Sequence, residues 1–442
     1  MEDSFIINGG KPLKGHVQLA GAKNASYKII IAALLFDQEV IVDHVPRIQD
    51  VFELFKLIES LGGKASFIEE NKVAVDGRGI NNHTIDLFFS SKIRGSFMLF
   101  ASLLYKLKEA HIPNPGGCRL GARSIDRIID GMKQLGIEVE YESETGYYHA
   151  KMNTLPQGTY TFPKPSHTGT ELLIMVSVLS KGNKVILENT AREPEVDDLI
   201  NFFEQSGADI KREGTSIIIN GVDKLSINKP YYVMSDRIEA MTYAVLGIMT
   251  RGEITVSKIK EEPIKPFLEK LREAGAGVEQ IGDDNWKFFY KGPLKAIDMV
   301  TGPHPEFLTD WQPIYSLLMT QAEGEAVIHE RVFENRFTYV EELNKLGADI
   351  EFIDVEVGNP KEFYHFNYDP EKTYNQAIRI RGPQPLHNGA MKMTDIRAGA
   401  TLALAALLAS GESIVNEVHH LERGYEHFVE KIQALGGDIK KI

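Results

Sequence analysis

The sequence predicts an α/β protein of two domains, each assembled from three similar units of helix and short strand. Three observations carry this. First, a helix end followed by Gly and an alternating strand recurs as ESLGGKASF, KQLGIEVEY, EQSGADIKR, REAGAGVEQ, NKLGADIEF and QALGGDIKK. The aligned glycines are Gly62, Gly136, Gly207, Gly275, Gly347 and Gly436, at intervals of roughly 70 residues. Second, an apolar helix, a polar turn and a β-rich run recur between them. Third, a chain of 442 residues is too large for one core, and six units divide naturally into two groups of three.

The first unit opens at GAKNAS (21–26), where a strand gives way to the apolar helix SYKIIIAALLF. The run EVIVDHV that follows alternates as a half-buried strand does. A second helix stops at Gly62, because Gly takes the left-handed conformation that ends a helix. The second unit has SLLYKLKEAHIPNP in place of the apolar helix and turn, without the turn glycine. The third, fourth and fifth units carry SVLSKGNKVILENT, GIMTRGEITVSKI and MTQAEGEAVIHERV, with Gly182, Gly252 and Gly324 at the turn. A polar, aromatic, turn-rich insertion, EVGNPKEFYHFNYDPEKTYNQ (356–376), lengthens the step to the sixth unit, where LLASGESIVNEV contains Gly411. Each unit is expected to hold two helices and about four short strands.

Composition narrows the function. Hydrophobic content of 43% and charged content of 25% are ordinary for a globular protein. One cysteine excludes an internal disulfide and fits a reducing compartment. The acidic start MEDSFIINGG does not resemble a secretory signal. The apolar runs 29–36 and 400–409 fall short of the about 20 residues that span a bilayer. A net charge of −13 argues against nucleic acid as partner. A cytoplasmic protein with no membrane or nucleic-acid partner is expected. Cysteine and histidine spacing shows no metal-ligand cluster, and nothing calls for an organic cofactor.

Candidate chemistry gathers at predicted helix starts, where unpaired N–H groups and the positive dipole end favour phosphate or carboxylate. Lys23 and Asn24 stand at one, and Arg397 in TDIRAGAT at another. Arg123 and Arg423 add charge suited to two-pronged binding of planar anions. Carboxylates accompany them: Glu193 and Glu195 in TAREPEVDD, Asp236 in SDRIEAMT, Asp310 in PHPEFLTDWQP and Asp395 in TDIRAG. Helix capping accounts for an acid at such a place, but not for the neighbouring Arg192, Arg237 and Arg397. The lone Cys118 lies in NPGGCRLGAR, among glycines and between Arg119 and Arg123. Such surroundings lower a thiol's pKa and raise its reactivity.

The stretches GAKNAS, PGGCRLGAR, NTAREPEVDD, SDRIEAMT, GPHPEFLTDWQ, RVFENRF, TDIRAGA and HLERGYEH are spread along essentially the whole chain. They resemble the enolpyruvyl transferase family, in its branch that takes UDP-N-acetylglucosamine as acceptor. The resemblance implies two inside-out α/β domains, each of three units around a pseudo-threefold axis. One domain would be residues 23–232 and the other 1–22 with 233–442, with the substrates between them. The implied reaction moves the enolpyruvyl group of phosphoenolpyruvate to the 3′-hydroxyl of UDP-N-acetylglucosamine and releases phosphate, opening peptidoglycan precursor synthesis. It implies no cofactor and no metal.

By the same resemblance, Lys23, Asn24, Arg123, Arg397 and Arg423 surround phosphoenolpyruvate. Cys118 donates the proton from a mobile loop, and Asp310 lies near the reacting hydroxyl. Asn24, Arg94, Arg123, Ser124, Ile125, Asp126, Arg127, Lys164, Ser166, His167, Asp310 and Val332 contact the nucleotide sugar. Glu193, Asp236, Arg336 and Asp395 support the site. The chain departs from the family at the nucleotide end: Ser124 replaces a Pro, Ile128 stands where His is common, and His167-Thr168-Gly169-Thr170 shifts the glycine of the phosphate loop. Two alternatives stay open on these grounds. One is a non-catalytic paralogue that binds sugar nucleotide. The other is the sibling 3-phosphoshikimate 1-carboxyvinyltransferase activity, whose family lacks the PGGC loop.

Overall fold

A computed structural model of the chain describes residues 3–114 and 125–442. These form two compact units: residues 3–20 with 235–442, and residues 21–114 with 125–234.

In the unit that includes residues 21–114, the helices Lys23–Ala33, Phe100–Leu107 and His167–Ser177 lie at the centre. Ile29 to Phe36 and Leu172 to Val176 are buried almost completely. A helix that is apolar all round is stable only where every side is covered. Each central helix packs on the sheet of its own repeat, so the sheets lie outside and the helices inside. In the first sheet, Val40–Asp43 pairs antiparallel with Lys72–Asp76, placing Val40 opposite Val75 and Val42 opposite Val73. All four valines are fully buried. Tyr231–Tyr232 joins the other side of Val40–Asp43 in parallel, so the last segment of this unit completes its first sheet.

The other unit repeats the plan with the helices Arg237–Met249, Gln312–Met319 and Ile396–Leu408. The first two are buried along their whole length. Here the chain's beginning closes the unit. Ser4–Gly9 lies between Gly411–Asn416 and Asp438–Lys441, antiparallel to both. Lys14–Gln18 adds in parallel to Glu253–Ser257. Buried Glu239 fixes this closure: it accepts the Ala20 N–H at 2.8 Å and pairs with Lys431 at 2.5 Å.

Among the described residues there are six sheets, one for each repeat. Every repeat glycine has left-handed φ, from +84° at Gly275 to +96° at Gly347, where a Cβ would be strained. The second motif varies more. Gly182, Gly324 and Gly411 are left-handed, but at the fourth turn Arg251 takes φ 53° and in the second repeat Lys108 takes φ 65°. Gly252 is required for another reason: a Cβ there would lie 1.8 Å from the Leu13 carbonyl oxygen. Among the described residues the second sheet holds three strands rather than the expected four, Glu109–Pro113, Glu138–Glu142 and Tyr147–Lys151. An isolated parallel bridge, Thr84 to His111, takes the fourth place.

The insertion 356–376 folds as a short helix, Pro360–Phe363, followed by the clustered rings of Tyr364, Phe366, Tyr368 and Tyr374. Arg331 anchors it, with its guanidinium 4.5 Å from the Phe363 ring centroid. Among the described residues, no helix is long and apolar enough to cross a membrane.

Candidate active site

In the unit containing residues 235–442, a charged array forms at the starts of the central helices. Asp395 caps Ile396–Leu408: its Oδ1 accepts the N–H of Arg397 at 2.8 Å and of Ala398 at 3.0 Å. Thr338 donates to the other carboxylate oxygen at 3.2 Å. The cap fixes the first turn and so the root of the Arg397 side chain. Asp236 caps Arg237–Met249 in the same way, accepting from Ile238 and Glu239.

Asp310 has a different task. It lies in the short 3-10 turn Thr309–Trp311 and makes no cap. Its Oδ1 is 2.7 Å from Arg336 and its Oδ2 is 3.1 Å from Arg397. Both arginines are buried, while Asp310 keeps 21% of its side chain exposed. The array continues inward. Arg336 donates to Thr309 Oγ1 at 2.7 Å, Thr309 donates to Glu330 at 2.8 Å, and Glu330 accepts the N–H groups of Val332 and Phe333. Burial opposes the charge on Arg397, but Asp310, with Tyr425 and Asp236, more than offsets it and holds the guanidinium above its ordinary pKa. The same balance applies at Arg336, where Asp310, Glu330 and Asp395 all favour the cation. Tyr425 packs beneath Arg397, 5.8 Å from ring centroid to guanidinium. Arg423 is two residues away, half-buried at the end of the helix His419–Glu422.

The unit containing residues 21–114 holds a second array. Lys23 and Asn24 are the first two residues of the helix Lys23–Ala33, both half-buried. Lys23 pairs with Asp50 at 2.8 Å. Arg94 opens the 3-10 helix Arg94–Leu99, which packs on the same central helix. Ser166 caps His167–Ser177 by accepting the Gly169 N–H at 3.2 Å. His167, the first residue of that helix, is 3.2 Å from Glu171, and Glu171 is 3.0 Å from Lys28. Burial and Lys28 lower the His167 pKa, but Glu171 and Glu193 together more than offset them and the net shift is upward. Burial and the neighbouring charge of Arg127 lower the pKa of Lys164. Burial lowers that of Arg127, against Tyr160 and Asp126. Two cations held this way favour an anionic ligand. Asp126 is exposed, and Ile125 is buried. Glu193 occupies the cap position of Pro194–Gln205 but its side chain makes no cap bond; its charge acts on His167 and Arg212.

Cys118, Arg123 and Ser124 lie outside the described residues. Val332 sits in the other unit, held by its N–H to Glu330 at 2.7 Å. Within each unit, then, the structure gathers predicted residues by charge: Asp310, Arg336, Asp395 and Arg397 in one, and Arg127 with Lys164 and His167 with Glu193 in the other.

The family model described as EPSP synthase (3-phosphoshikimate 1-carboxyvinyltransferase) matches residues 7–432. A UDP-N-acetylglucosamine 1-carboxyvinyltransferase of Acidobacterium capsulatum is 37% identical over 100% of this chain and 96% of the relative. One of Coxiella burnetii is 38% identical with the same coverage. The chain belongs to the enolpyruvyl transferase family. Among solved structures, the enolpyruvyl transferase NikO from Streptomyces tendae superposes with a TM-score of 0.85 at 23% identity, covering 100% of this chain and 99% of that one. The enolpyruvyl transferase fold thus extends over the whole chain.

Sequence reasoning missed two residues of this enolpyruvyl transferase. Lys28 and Glu171 sit within apolar helices, and with the half-buried His167 they form a charged triad. The available signal was a charged residue inside an otherwise apolar run. Sequence reasoning also treated the acids at helix starts alike. Asp236 and Asp395 cap, whereas Asp310 holds arginines and Glu193 acts through its charge.

Proposed function

We propose that this enolpyruvyl transferase moves the enolpyruvyl group of phosphoenolpyruvate to the 3′-hydroxyl of UDP-N-acetylglucosamine and releases phosphate. This is the opening step of peptidoglycan precursor synthesis. Full-length identity of 37–38% to relatives named for this activity supports the reading most strongly. We read the two substrate-binding domains as residues 23–232 and residues 1–22 with 233–442. The single cysteine fits the cytoplasm as the site of action.

The family resemblance supports the following roles, and charge is consistent with them. Phosphoenolpyruvate carries a phosphate and a carboxylate, and Lys23, Asn24, Arg123, Arg397 and Arg423 hold them. Preformed cations stabilise charge without reorganising during the reaction. Cys118 gives its proton to C3 of the vinyl group. The 3′-oxygen bonds to C2, and its proton passes to Asp310. Phosphate then leaves C2, and C3 returns a proton to the Cys118 thiolate as the double bond is restored. A carboxylate offers about four acceptor sites, so binding Arg336 and Arg397 does not exhaust Asp310. Arg336 positions Asp310, Asp395 positions Arg397 through its cap, and Asp236 and Glu193 support the neighbouring helix starts. Arg94, Arg123, Ser124, Ile125, Asp126, Arg127, Lys164, Ser166, His167 and Val332 bind the nucleotide sugar, with Asn24 and Asp310 at its reacting end.

Phosphate release tests this. Release is expected only when phosphoenolpyruvate and UDP-N-acetylglucosamine are both present, and it falls by orders of magnitude in Cys118→Ser. Release with shikimate 3-phosphate in place of the nucleotide sugar would overturn the assignment of acceptor. Binding of nucleotide sugar without phosphate release would overturn the assignment as an enzyme.

A further inference from the structure

The second repeat carries a group of imidazoles that the proposed reaction does not use. In the strand Glu109–Pro113, Glu109 and His111 are two residues apart and therefore share a face. His149 lies opposite His111 on the neighbouring strand Tyr147–Lys151. On the other side, the His111 N–H donates to the His83 carbonyl at 2.8 Å, beside the Thr84 to His111 bridge. Three imidazoles thus stand in a row across the sheet. Ring centroids are 4.6 Å apart for His83 and His111, and 4.3 Å for His111 and His149. His111 Nε2 is 3.0 Å from Glu109 Oε1. One donor atom each from His83, Glu109 and His111 lies within 4.8 Å of the other two.

That donor set is two imidazoles and a carboxylate on three half-buried residues. Zn–N bonds of about 2.0–2.1 Å place tetrahedral ligand atoms about 3.3 Å apart. The Glu109–His111 separation is already close to that edge, and side-chain rotation brings in His83. We propose that His83, Glu109 and His111 form a binding site for a divalent transition-metal ion such as Zn2+, with water in the fourth position. Burial holds His111 below its ordinary pKa, and His149 and His83 add to this against Glu109; neutral imidazole is the ligating form. Lys151 lies 3.5 Å from Glu109 but is 55% exposed, so its flexible side chain moves aside. A second trio, Glu417, His419 and His420, is a poorer site. Arg423 acts on His420 there and repels a cation.

The test is calorimetric titration of the full chain with Zn2+ alone, in a Cys118→Ser background that removes the thiol as a competing ligand. One ion per chain is expected, with a rise in Tm on binding. His83→Ala and His111→Ala should each weaken binding at least about tenfold, whereas His419→Ala leaves it unchanged. Glu109→Gln removes only a charge and serves as the check should an alanine variant fold poorly; it too should weaken binding. No saturable binding, or binding that survives both histidine variants, would overturn the proposal. Loss confined to His419→Ala would overturn it in favour of the second trio.

Discussion

Lys28 and Glu171 carry opposite charges into the interior of apolar helices. Glu171 is fully buried, and its carboxylate meets Lys28 at 3.0 Å and His167 at 3.2 Å. Burial alone would raise the Glu171 pKa, but His167 and Lys28 more than offset this and keep it ionised. Removing a partner from a buried charge costs up to about 3–5 kcal/mol, while replacing a pair by apolar groups is nearly neutral; without Lys28, Glu171 keeps only His167 as its cation. Lys28→Met should therefore lower unfolding stability by about 3 kcal/mol, and Lys28→Met with Glu171→Leu should recover most of it. Urea denaturation of the three proteins measures this; a double variant as unstable as the single one would contradict the account. Asp198 gives a pH prediction. Burial beneath Tyr231 pushes its carboxyl up to about 7, although the Tyr231 hydroxyl donates to it at 2.9 Å. An unfolded Asp titrates near 3.9. Between about 4 and 7 the folded state therefore holds the extra proton, and stability falls as pH rises through that window. Asp198→Asn should flatten this part of the Tm-against-pH curve. These residues were not legible in the sequence, because hydrophobic patterning marks a segment as buried without naming which distant charge will answer a buried one.

At the scale of the element, helix starts do the positioning. Asp395 fixes the first turn of Ile396–Leu408 through two backbone N–H groups, and Arg397 leaves from that turn toward Asp310. Asp395→Ala should cost about 1 kcal/mol of stability and raise the KM for phosphoenolpyruvate more than it lowers kcat. Asp395→Asn, which still caps, should restore most of both. Thermal unfolding and steady-state kinetics check the pair; equal kinetics in the two variants would remove Asp395 from the positioning role. Helix boundaries were legible where a local conformation demanded a particular residue. All six glycines that end the outer helices are left-handed, and only Gly takes that φ without strain. The second motif was less legible because Arg251 and Lys108 take positive φ without a glycine. The histidine row was invisible for a topological reason. His83, His111 and His149 come from three segments that only strand pairing brings side by side.

For the whole molecule, repetition revealed the architecture, since six similar units must bury similar faces. Closure did not show in local pattern. Lys14–Gln18 and Tyr231–Tyr232 are short strands that complete sheets begun far away in the chain. Ser4–Gly9 pairs with residues 411–416 and 438–441 in the same manner. The central claim is chemical: addition of a sugar hydroxyl to phosphoenolpyruvate, with a proton delivered to C3, followed by loss of phosphate. The most direct measurement is NMR of the purified nucleotide product formed in deuterated water. The account predicts an enolpyruvyl group on the 3′-oxygen of UDP-N-acetylglucosamine with deuterium in its vinyl methylene, because the thiol exchanges with solvent before it protonates C3. A product without deuterium, or an unmodified nucleotide sugar, would contradict it.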